Sequence, residues 1–181
     1  MFLTRPQRYI MDVLKKLKYV RRNQLYILVR ERFRTKEGDV LISMKGLDAM
    51  LRQLRTGIED IRTDDKAVWL KNALPNQTIL EAVDVMLELT EGAPQDFEVD
   101  AGSLPMLYFT WGGDKLRAFS VGKLRAADIL LRTFGDLPKS QRCIWLCGEN
   151  AVPTDIGLPK RHYLAVRQAD GTHRFYGSSE P

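Results

Sequence analysis

The sequence predicts an α+β protein in two parts, and three observations carry that prediction. Apolar residues recur at helical spacing in three stretches before residue 58. From there on, short runs of strand formers alternate with polar turns, and two further helical patterns interrupt them. The charge divides along the same line. Residues 1–72 hold 17 Lys/Arg against 9 Asp/Glu, whereas residues 73–181 hold 11 against 14. Asn72-Ala73-Leu74-Pro75-Asn76 marks the division, so the expected domains are 1–74 and 75–181.

The first helix is expected from about Pro6 to Lys18, with Tyr9, Ile10, Val13, Leu14 and Leu17 as its apolar stripe. Pro6 suits a first helical turn, and Thr4 or Arg5 precedes it. Tyr19-Val20 is read as a link. A second helix runs from Arg22-Asn23 to about Phe33, with Asn23 as its N-cap candidate and Leu25, Leu28, Val29 and Phe33 inward. After the polar stretch 35–39, Val40-Leu41-Ile42 is either a short strand or an extended lead. The third helix starts at the N-cap Ser43 and buries Met44, Leu47, Met50, Leu51 and Leu54. Its other face carries Lys45, Asp48, Ala49, Arg52, Gln53 and Arg55, and Thr56-Gly57 ends it with a left-handed glycine cap. Ile58–Arg62 and Ala67–Lys71 then flank the polar residues 63–66, which reads as a β-hairpin.

The second part opens with a helix from about Gln77 to Thr90 and an acidic face of Glu81, Asp84, Glu88 and Glu91, broken at Gly92-Ala93-Pro94. Phe97-Glu98-Val99 is a short strand or edge segment. Pro105–Trp111 and Leu116–Val121 form a hairpin across Gly112-Gly113-Asp114-Lys115. A helix is expected over Lys123–Thr133, a buried strand over Cys143–Cys147, and a last hairpin from Tyr163–Arg167 and Thr172–Tyr176.

At 181 residues, 44% hydrophobic and 28% charged, the chain is long enough for a sizeable core. No apolar run reaches the length of a membrane span, and the first residues contain no apolar signal region; a cytoplasmic protein with no membrane partner is expected. Cys143 and Cys147 share a strand face but lie roughly 13 Å apart, too far for a disulfide. With only His162 and His173 besides, a zinc site is not expected, and free buried thiols are. Both histidines are expected as surface or satisfied side chains rather than ligands. No metal or other cofactor is expected.

A basic first part with a Lys/Arg/Gln helix face points to a polyanion partner, because these side chains bind phosphates and base edges. The order of three helices and a hairpin in residues 5–72 resembles the winged helix-turn-helix family, whose third helix enters the major groove beside the hairpin wing. The resemblance implies that Lys45, Arg52, Gln53 and Arg55 face the groove, that Ala49 meets a thymine methyl, and that Arg21, Arg22, Arg62 and Lys66 hold phosphates. Asp48, Asp64 and Asp65 oppose that arrangement by repelling phosphate. Some winged helices use the same surface to dock proteins, and that alternative stays open.

The second part resembles the restriction-endonuclease-like fold, a small α/β sheet domain. That fold needs an acid on one strand and an acid two residues before a lysine on the next. Met106–Trp111 has no carboxylate, and Phe119-Ser120-Val121-Gly122-Lys123 has no acid two before its lysine. Neither Glu98 with Asp100 nor Glu149 with Asp155 is placed together by the sequence. No catalytic residue is assigned and no enzyme is expected; metal-dependent cleavage through Glu98 or Asp114 is the less favoured alternative. The whole plan is similar to replication-relaxation type proteins and other proteins carried by mobile elements of Firmicutes. This resemblance implies a DNA-binding protein of a plasmid or conjugative element, in transcriptional regulation or as a replication or transfer accessory. Its partner would be double-stranded DNA, and residues 75–181 would bind a protein partner or form a homodimer.

Overall fold

The computed structural model describes residues 2–58, 60–100, 102, 104–120, 135–148 and 158–177. These residues form four helices and two β-sheets, a mixed α+β architecture. The expected helix over 123–133 lies outside the described residues, as do Glu149 and Asp155.

Helix α1 (Arg5–Leu17) starts at Thr4, whose hydroxyl accepts from the Gln7 backbone N–H while the Gln7 side chain accepts from the Thr4 backbone N–H. This reciprocal pair satisfies two amides that a helix start leaves open. Tyr19-Val20, expected as a link, belongs instead to a strand, β1 (Tyr19–Arg21). It pairs antiparallel with β3 (Ala67–Leu70), and the Tyr19 and Trp69 rings stack at 5.7 Å. Helix α2 (Arg22–Arg32) is capped two residues earlier than expected: Arg21, not Asn23, is the N-cap position, and its N–H donates to Gln24 Oε1. Val40 makes a single β-bridge to Arg34.

Helix α3 (Met44–Gly57) begins at Ser43, whose hydroxyl accepts from the Gly46 N–H at 3.1 Å. Gly57 does not take the expected left-handed cap. It stays helical, and extended Ile58 ends the helix with its N–H on Leu54 O. The hairpin is shorter than predicted, β2 (Ile61–Thr63) with β3, and the sheet order is β1-β3-β2. In its turn, Asp64 accepts from the backbone N–H groups of Ala67 (2.7 Å) and Lys66 (2.8 Å), which lowers its pKa.

Helix α4 (Gln77–Leu89) starts at Asn76. The second sheet runs in the order β4 (Phe97–Asp100), β5 (Met106–Trp111), β6 (Asp114–Ser120), β7 (Gln141–Cys147), β8 (His162–Arg167), β9 (His173–Gly177). β6, β7 and β8 are parallel to their neighbours in that trio, and every other pairing is antiparallel. The turn before β6 is tighter than the four residues predicted. Gly112 and Gly113 alone make it, at φ +57° and +87°, and Trp111 pairs directly with Asp114. Two consecutive positive φ values fit the twist of a two-residue hairpin and favour glycine at both places.

One apolar core runs through both parts of the chain. Ile10, Leu14, Leu25 and Leu28 belong to the same buried cluster as Val83 and Met86 of α4 and Leu107, Phe109 and Ile144 of the sheet. Polar contacts reinforce the junction. The fully buried Gln24 donates to Leu80 O and Asp84 Oδ1, both at 2.6 Å, and Arg21 pairs with Asp84 at 2.5 Å. The far face of the sheet buries Cys143, Trp145, Cys147, Leu164 and Val166. Both cysteines are free, and burial pushes both thiols up in pKa.

Candidate nucleic-acid interface

The face of α3 opposite Leu47, Leu51 and Leu54 is open to solvent. Lys45, Arg52, Gln53 and Arg55 are exposed on it and Ala49 is half-buried. Among the described residues, Lys45, Arg52 and Arg55 have no ion-pair partner. Two unpaired guanidiniums three residues apart lie along neighbouring turns of a helix. Together with Lys45 they give this face a net positive potential.

Two clefts flank α3. One of about 320 Å³ lies between α3 and the β2–β3 hairpin, lined by Arg22, Asp48, Arg52, Arg55, Thr63 and Asp64. The other, about 550 Å³, lies toward the start of α1 and is lined by Phe2, Thr4, Gln7, Arg52, Gln53 and Thr56. Gln53 is fixed on that side, its Oε1 accepting from Gln7 Nε2 at 2.8 Å.

The four residues assigned to phosphates fare differently. Arg62 and Lys66 are exposed on the hairpin, and Arg62 also donates to Ile61 O. Arg21 is engaged by Asp84, away from α3. Arg22 is engaged as well: Nη2 pairs with Asp48, Nη1 donates to Asp64 O at 2.7 Å, and its backbone N–H donates to Lys66 O. Asp48 is therefore matched by a cation, and Asp64 is folded into the hairpin turn. The repulsion expected of both is reduced, for Asp48 by the guanidinium that pairs with Oδ1 and for Asp64 by the two backbone N–H groups it accepts from.

Sequence reasoning overlooked Gln7, which is 4% exposed and ties α1 to α3. The signal was present in Thr4-Arg5-Pro6-Gln7, a Thr followed three residues later by Gln. The Arg22–Asp48 pair joins residues 26 apart and leaves no local pattern.

In the second part, both histidines are buried and hydrogen-bonded. His162 Nδ1 accepts from Trp145 Nε1 at 3.0 Å and Nε2 donates to Gly135 O at 2.8 Å; burial lowers its pKa. His173 lies between Glu88 (2.8 Å) and Glu81 (3.5 Å) of α4. Burial alone would lower its pKa, but hydrogen bonds and charge from Glu81 and Glu88 more than reverse this and raise it. Among the described residues, no group of three or more His, Cys, Asp and Glu is placed to hold a metal ion, and no helix is long and apolar enough to cross a membrane. No protein-family model matches the chain, and no curated protein does.

Proposed function

We propose that this protein binds double-stranded DNA through the exposed face of α3 and the β2–β3 hairpin. In this reading it is an accessory or regulatory protein of a plasmid or conjugative element, and its second part binds a partner or a second copy. The observation that carries the reading is the row of Lys45, Arg52 and Arg55, exposed and free of carboxylate partners among the described residues. The element order and the sheet order β1-β3-β2 support the winged helix-turn-helix likeness, with α3 as the groove helix and the hairpin as the wing. The mixed sheet behind α4 supports the restriction-endonuclease-like likeness. We read that part as non-catalytic because β5 carries no carboxylate and the lysine after β6 lacks an acid two positions before it.

The test is binding to a random duplex across a salt series, with Arg52→Ala/Arg55→Ala beside the parent. Each lost phosphate contact lowers the salt slope by about 0.9, so the double variant should bind more weakly and with a flatter slope. No binding at low salt, or a double variant that binds as tightly as the parent, overturns the reading. One observation favours a protein-docking surface instead: Val40, Leu41 and Met44, just before and at the start of α3, are 49%, 67% and 38% exposed. Capture of a protein partner that is insensitive to salt and lost in Leu41→Asp would support that second reading.

A further inference from the structure

A carboxylate on a helix face that meets phosphates is repulsive unless it is matched by a cation and aimed at a donor. Asp48 meets the first condition. Oδ1 is held by Arg22, while Oδ2 has no hydrogen-bond partner among the described residues, and the side chain is 34% exposed into the cleft beside the hairpin. The Arg22 guanidinium is held from behind by Nη1 donating to Asp64 O, and its backbone N–H donates to Lys66 O, so both ends of the residue are tied to the hairpin and Asp48 pairs with a positioned cation. Lys45 and Arg52 stand three residues before and four residues after Asp48, on the adjoining turns. Their charge offsets that of Asp48 toward the backbone phosphates.

We infer that Asp48 is a base-reading acceptor for the amino group of cytosine in the major groove, with Arg22 as the residue that positions it. The inference rests on the duplex-DNA reading of this same face. In the major groove the cytosine N4 amino group is the donor that a carboxylate accepts from, and no phosphate offers one. Arg22 then belongs to the reading of sequence rather than to the holding of the backbone.

The experiment is recovery of bound sequences from a randomised duplex library by the full chain, by Asp48→Asn and by Arg22→Ala, with melting temperatures checking that each variant folds. The parent should prefer cytosine at one position by about five-fold, the low end of what a base contact supplies, because one oxygen accepts. Asp48→Asn keeps the shape but adds a donor, so the preference at that position should move to adenine, the base a carboxamide pairs with on two atoms. Arg22→Ala should lose the preference there and keep the others. An unchanged cytosine preference in Asp48→Asn overturns the inference. So does a parent that binds duplex without preference at any position, which leaves the DNA-binding reading standing. No duplex binding at low salt overturns both. An Arg22→Ala protein that keeps the cytosine preference with a flatter salt slope makes Arg22 a phosphate ligand and overturns its positioning role.

Discussion

Gln7 Nε2 donates to Gln53 Oε1 at 2.8 Å, so the first turn of α1 holds the outer flank of α3. The same Gln7 side chain accepts from the Thr4 backbone N–H, and one residue therefore completes a helix cap and links two helices. Gln7→Ala should cost about 1–2 kcal/mol from the lost cap partner and the freed Gln53. Chemical unfolding should show a lower midpoint with an unchanged slope. A midpoint equal to the parent's would mean that Gln53 and the Thr4 amide find water without loss.

Gly92 follows α4 at φ +81°, and a Cβ there would lie 2.6 Å from Ile27 Cγ2 and 2.9 Å from Glu31 Cγ of α2. Gly92→Ala combines an unfavourable backbone conformation with a clash against the Ile27 and Glu31 side chains of α2. It should destabilise the protein by about 1–3 kcal/mol, readable as a drop in melting temperature. Ile27→Ala in the same chain removes one of the clashing atoms and should recover part of the loss.

His173 carries a raised pKa in the fold, set against burial by Glu81 and Glu88. A group whose folded pKa lies above its unfolded value, 6.5 for histidine, contributes stability that is fully present below that value. The contribution is lost as pH rises through the higher folded value. The melting temperature of the parent should therefore fall relative to that of His173→Gln over the window that opens at pH 6.5 and closes above the raised folded value. A difference that stays constant across this window would show that the raised pKa does not couple to folding. His162, with its lowered pKa, acts in the opposite sense and loses its contribution as pH falls below 6.5. The comparison with the single variant separates the two.

Trp145 is fully buried and donates to His162 Nδ1, with the two rings stacked at 5.9 Å. Trp145→Phe keeps an aromatic ring but leaves that nitrogen without its donor, a loss of about 1–3 kcal/mol. Equilibrium unfolding in denaturant should report it as a lower midpoint.

Helices α1, α3 and α4 were legible because each repeats an apolar stripe over three or more turns, and Thr4, Ser43 and Asn76 precede them. Strand β1 was not, because three residues cannot display a period and its partner Trp69 lies 50 positions away from Tyr19. The exposed cations of α3 followed from the same stripe that buries its leucines. The fate of Arg21 and Arg22 did not: adjacent in sequence, they turn to Asp84 and Asp48 on different helices. Charge alone gives a side chain its hydration preference and leaves its partner to be chosen by the fold.

Helix α4 is common property: its residues join the core of the N-terminal helices and that of the sheet, and Gln24 gives both amide hydrogens to it. A genetic exchange that rejoined unrelated sequences between residues 72 and 76 would strand the Gln24 amide against a foreign helix. An exchange after Gly92 would instead strip the sheet of the helix that covers it. Either hybrid inherits a seam shaped for another protein, so the helix and its two neighbours are expected to pass between genomes as one heritable piece.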